Sequence, residues 1–143
     1  MAMSLVVPWA PVVVSAIAGF LIGWLWHSDA LFGKMWRKEM GVTDAQVQKA
    51  KKQGMKGMTR SMIVTFITLL VMAWIISAFM YATGSIGIIG GLCVAFWSWI
   101  GYVATIGLGA VSWENRSMKM FWINSIHWLV IMLVTGIIVG VWM

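Results

Sequence analysis

The 143-residue chain is 62% hydrophobic and only 10% charged, with a mean hydropathy of +0.92, which excludes an ordinary water-soluble domain. Its net charge of +6 comes from ten Lys and Arg confined to residues 27–60 and 112–120. Membrane topology explains such segregation, so the basic balance implies neither nucleic acid nor an acidic partner.

A helix crosses a hydrocarbon layer about 30 Å thick with roughly 20 apolar residues. Four runs meet that length, at residues 5–26, 61–82, 86–111 and 121–142. The fold class expected is therefore all-α: a four-helix transmembrane bundle in which residues 1–143 form one membrane domain, with connections at 27–60 and 112–120.

No Lys or Arg precedes the first run and no small-residue cleavage pattern closes it, so it reads as a retained span rather than a secretory signal. Gly19 and Gly23 stand four apart in it, with Ser15 on the same face. Such a flat stripe lets a neighbouring helix approach closely.

The connection 27–60 carries Lys34, Arg37, Lys38, Lys49, Lys51, Lys52, Lys56 and Arg60 against Asp29, Glu39 and Asp44. Thr43 with Gln46 three residues on resembles a capping box. Val47, Ala50, Gly54 and Met58 then share one helical face, and Lys49, Lys52, Lys56 and Arg60 the opposite one. This predicts a basic amphipathic helix on the membrane surface or a stalk leading into span two, with Gly54 and Gly57 as weak points; a solvated basic loop is the alternative.

The uncharged turn 83–85 makes spans two and three antiparallel neighbours. Span three carries Gly87 and Gly91, extended by Ala95, and holds Cys93, which has no partner in its own chain. The connection 112–120 adds Glu114, Arg116 and Lys119, and span four carries Gly136 and Gly140. Because Lys and Arg are retained on the cytoplasmic side, both basic connections are expected inside and both termini outside, in a bacterial cytoplasmic membrane whose anionic headgroups the basic connections would contact. Trp9 and Trp142 would then lie at the outer interface, and Trp24, Trp26, Trp36, Trp113 and Trp122 at the inner one, with Trp74, Trp97 and Trp99 deeper.

No Asp, Glu, Lys or Arg falls inside a span, which argues against proton relays and ion-coupled carriers. Ser and Thr can bond their own helix backbone, whereas the Asn124 amide and the His127 imidazole need partners away from lipid. These two are three apart, hence on one face of span four, and His27 marks the end of span one. The long first connection leaves span one free to pack on span four. His27, Glu114, Arg116, Asn124 and His127 could then gather around one inner-leaflet pocket, serving as a helix lock or as a binding or proton-handling site. Two His without Cys or an intramembrane carboxylate make a thin ligand set, so no metal and no cofactor is expected. Phosphate-binding glycine loops, nucleophile elbows, metalloprotease helices and paired cysteine motifs are absent.

Residues 23–36, GWLWHSDALFGKMW, and 113–129, WENRSMKMFWINSIHWL, resemble the two ends of the small four-span membrane proteins grouped as domain of unknown function 1761. The family's first segment closes its span with Trp, Tyr, Ser and Pro before Leu, Phe, Gly, Lys and Trp. Trp26, Ser28, Leu31, Phe32, Gly33, Lys34 and Trp36 match it, while His27 and Asp29 replace the Tyr and the Pro. Glu114, Arg116, Lys119, Ile123 and Asn124 match the second segment, and His127 stands where a Tyr is common. Both histidines depart from the pattern, and the resemblance implies no activity, substrate or cofactor. The function expected is an integral inner-membrane interaction protein, a homo-oligomer or an accessory subunit of a larger complex. The alternatives are a passive channel or carrier using Ser77, Ser98, Tyr102, Thr105 and Asn124, and a lipid- or quinone-directed enzyme using His27 or His127.

Overall fold

The computed structural model describes residues 7–143; the first two residues of the expected 5–26 span lie outside that range. Its elements in order are α1 (Trp9–Trp26), α2 (Gly33–Glu39), α3 (Asp44–Gln53), α4 (Met55–Thr83), α5 (Gly87–Ser98), a π-helical segment (Trp99–Ala104), α6 (Thr105–Trp113) and α7 (Met118–Trp142). Gly87–Trp113 runs on as one span. With α1, α4 and α7 it makes four helices long and apolar enough to cross a membrane. The protein is all-helical, as its composition implied.

The ends of the elements follow from local chemistry. Thr43 Oγ1 accepts from the Gln46 backbone N–H at 3.3 Å, and Gln46 Oε1 accepts from the Thr43 N–H at 2.9 Å, completing the capping box that opens α3. Ser117 Oγ accepts from the Met120 N–H at 3.1 Å and opens α7. Gly84 takes a left-handed φ of 66° that ends α4, and the Ser85 N–H reaches back to the Met80 carbonyl at 3.0 Å, the arrangement a glycine stop permits.

The amphipathic face drawn across residues 47–60 is not one helix, because Gly54 adopts φ 60° and divides α3 from α4. Met55–Arg60 instead form the first turns of span two. At 29 residues α4 is about 44 Å long, so its basic end exceeds the hydrocarbon thickness.

Helix α7 is the centre of the bundle. Its neighbours are α1, α5 and α4, and α1 also packs on α4. The core is drawn from Val12 and Ala16 of α1, Leu69, Ala73, Ile76 and Met80 of α4, Ala95 of α5, and Ile131 and Val139 of α7. Spans two and three do touch near their short turn, but span three lies chiefly along α7. Glycine explains why. A Cβ at Gly91 would overlap the Gly136 carbonyl oxygen, one at Gly136 would overlap that of Gly91, and one at Gly140 would strike the Gly87 carbonyl. The two glycine stripes therefore meet backbone to backbone. A Cβ at Gly19 would come within 3.0 Å of Leu69 and 3.1 Å of Ile131, so that stripe, too, is filled from within the chain.

At the opposite end from the 83–85 turn, α2 folds back against α7. Ser117 Oγ donates to Glu39 Oε2 at 2.6 Å and Lys119 Nζ lies 4.0 Å from Glu39, so the two basic connections share one end of the molecule. The chain enters α2 through a tight turn in which the Gly33 N–H donates to the Ser28 carbonyl at 2.9 Å. A Cβ at Gly33 would meet that same oxygen at 2.6 Å.

Candidate functional site

The basic end of the bundle holds two cavities, and the wall between them is made by Thr68 of α4 and Trp128 of α7. One opens between α4 and α1, the other between α4 and span three, and α7 lines both.

The first cavity, about 560 Å³, lies between α1 and α4 over α7, with Gly23, His27, Met58, Thr65 and His127 in its lining. His27 Nδ1 is 2.9 Å from the Gly23 carbonyl oxygen. A carbonyl only accepts, so Nδ1 carries the proton and Nε2 keeps a lone pair when the ring is neutral. The His27 and His127 ring centroids are 4.9 Å apart at 75°, and Trp26 and Trp128 flank His127 at 5.8 and 5.1 Å. His127 is buried, its Nε2 has no hydrogen-bond partner among the described residues, and it lies against α1 so closely that a Cβ at Gly23 would stand 3.3 Å from it.

The second cavity, about 480 Å³, lies between α4, span three and α7. Its body is apolar, with Met72, Val103 and Ile106 among its walls, and its polar members are Tyr102, Arg116, Asn124, Ser125 and Thr68. Tyr102 and Val103 belong to the π-helical segment, whose wider turn widens the wall; single π turns inside α-helices occur frequently at functional sites. The Trp99 indole N–H donates to the Ser125 carbonyl at 2.7 Å, and the Trp26 indole to the Ile123 carbonyl at 3.2 Å. Spans three and one are thus both tied to α7. The Ser125 hydroxyl is buried without a partner among the described residues.

Residues expected to form one pocket are therefore distributed over two, which corrects the sequence reading. His27 and His127 come together at the first cavity; Asn124 and Arg116 line the second. Three residues along a helix leave an angular offset of about 60°, and Asn124 and His127 line different cavities. Glu114 lines neither; it is exposed and accepts from Arg116 Nε at 2.9 Å. Nor do Ser77, Ser98, Tyr102, Thr105 and Asn124 line one passage, since Ser77 is fully buried in the core and Thr105 is exposed. Among the described residues no group of three or more His, Cys, Asp or Glu could hold a metal ion. Outside the spans, the hydrogen bond from Arg37 holds the Asp29 carboxyl below the usual carboxylate range.

The π-helical segment and the two indole donors went unforeseen. No residue preference marks a π turn, and a Trp near a membrane interface reads as an anchor before it reads as a donor to a neighbouring helix.

A family model described as Protein of unknown function (DUF1761) matches residues 10–140. No curated protein and no solved structure matches the chain.

Proposed function

The chain belongs to the DUF1761 family, and from that premise we propose that it is a membrane interaction protein that self-associates through the outward face of span three. The observation carrying this reading is a stripe on that face. Cys93, Trp97, Gly101, Thr105 and Gly109 recur every four residues, and the first four are exposed. A Cβ at Gly101 or Gly109 would meet nothing within 4 Å. The glycine pairs that first suggested assembly are occupied inside the chain, so this second stripe takes over that role. Only 11% of the most apolar window of span three is buried, against 44% for α7, which leaves the face free for a partner helix.

Concentration of all Lys and Arg at one end of the bundle supports an orientation with that end in the cytoplasm of a bacterial cell, against anionic headgroups, and both termini outside. A larger complex could use the same face, with this chain as its accessory subunit.

Native mass spectrometry from lipid, with a bifunctional maleimide linking Cys93 to Cys93, tests the reading. The native chain should give a dimer or higher oligomer, and Gly101→Ile should return it to monomer while leaving the internal α5–α7 seam intact. A monomer that links to nothing and is unaffected by Gly101→Ile would refute it.

A further inference from the structure

The cavity between α4, span three and α7 has a polarity pattern that specifies a kind of ligand. Its wall is hydrocarbon along most of its length, and one cation, Arg116, stands at its basic-end mouth. The ion pair with Glu114 uses only Arg116 Nε, leaving the terminal guanidinium nitrogens as donors. Seven and eight residues beyond the Ser117 cap, roughly 10–12 Å deeper along α7, stand Asn124 and Ser125. The Asn124 amide makes no hydrogen bond among the described residues, and Ser125 is 3% exposed with its hydroxyl unpartnered. Polar groups at that depth in a membrane are stabilised only by a partner. Thr68, by contrast, is already bonded to the Val64 carbonyl at 2.9 Å.

We propose that this cavity is a binding site for an anionic acyl lipid, with its acidic headgroup on Arg116, an ester or amide carbonyl on Asn124 and Ser125, and its chain along Val103, Ile106 and Met72. A free inorganic anion would satisfy Arg116 but leave the rest of the cavity unfilled. A neutral amphiphile would leave the guanidinium facing only Glu114. The neighbouring histidine cavity is a weaker candidate, because the one fully buried unpartnered side-chain atom among the described residues lining it, His127 Nε2, is pressed against Gly23.

The test is native mass spectrometry of the full chain from bilayers of equal phosphatidylglycerol and phosphatidylcholine. The native protein should retain phosphatidylglycerol preferentially. Arg116→Gln should cut that preference about tenfold, since a charge-assisted hydrogen bond is lost, while lipid retention itself persists. Asn124→Leu should lower retention of both lipids. Ala110 also lines the cavity, and Ala110→Phe, which fills its body with an apolar ring, should abolish retention. Arg60→Gln, a cation at the same end but outside the cavity, should change nothing. Equal loss of preference in Arg60→Gln and Arg116→Gln would replace the site with general surface attraction and overturn the proposal. Displacement of the lipid by millimolar inorganic phosphate would overturn it in favour of a simple anion site, and so would unchanged retention in Ala110→Phe. Each variant is compared at native helix content by circular dichroism.

Discussion

Substituting Gly91 by Ala places the smallest side chain at the tightest point of the bundle. Ordinary van der Waals contact begins at 3.4 Å, and the new Cβ would overlap the Gly136 carbonyl oxygen and stand 2.6 Å from its carbon, so the α5 and α7 backbones must part by more than roughly 1 Å. A gap of that size forfeits up to about half of the dispersion attraction across the seam, and overpacking of this kind costs about 3 kcal/mol. Ala returns about 1 kcal/mol in helix propensity, leaving a net destabilisation of about 2 kcal/mol. Gly101→Ala is the matched control: it meets nothing within 4 Å and should be neutral or slightly stabilising in monomer. The sharper expectation concerns the double variant Gly91→Ala with Gly136→Ala. Once the first Cβ has separated the helices, the second finds room, so the two losses should sum to well under twice the single one. Denaturant unfolding in detergent micelles, followed by Trp fluorescence, measures the native protein, Gly91→Ala, Gly136→Ala, Gly101→Ala and the double variant. Equal midpoints for Gly91→Ala and Gly101→Ala, or strictly additive losses in the double variant, would refute the backbone-to-backbone seam.

Trp99→Phe removes the indole donor to the Ser125 carbonyl, 2.7 Å away, while keeping an aromatic ring, and should lower stability by about 0.6–1 kcal/mol in the same assay. Trp26→Phe, which loses the longer 3.2 Å bond, should cost less. The third expectation is a pH dependence near Asp29. Its folded-state pKa is lowered by the hydrogen bond from Arg37, so the stabilisation it gives is full above the unfolded value and is lost as pH falls through the folded one. An NMR titration should place the Asp29 midpoint below the reference value of 3.8, and Arg37→Gln should return it to the ordinary range; an unshifted midpoint in the native chain would contradict the pairing.

The spans were legible because length and hydropathy are properties of contiguous sequence, and the capping box at Thr43 because its two partners are three residues apart. Glycine positions announced close contact but not with whom: Gly91 and Gly136 carry no label that pairs them, and only the assembled bundle shows that each fills the other. The break at Gly54 was signalled as a weak point, yet whether a glycine bends, ends or merely weakens a helix depends on the membrane depth of the residues that follow. The site was read only in part. Asn124 and His127 stood out as polar groups needing partners, but a helical offset of about 60° does not say whether two residues share a cavity, and here they line different ones. Arg116 and Tyr102 line one cavity, and Tyr102 does so from a π-helical segment that local sequence does not encode.

In a regular helix, positions spaced by four drift about 40° per step, so the walk from Gly91 through Ala95, Trp99 and Val103 to Gly107 should end nearly on the far side. Yet Gly91 abuts Gly136, and a Cβ at Gly107 would meet Phe121 at 2.9 Å, both on the same neighbouring helix. The residues Trp99–Ala104 absorb the drift, so span three holds one residue more than an ordinary helix needs to keep both ends in phase. Shortening the chain by one inside that stretch would leave the alignment of its two halves undisturbed, whereas the same deletion a turn earlier or later would rotate one half off its seat; the spare residue is a built-in tolerance in the azimuth of the span.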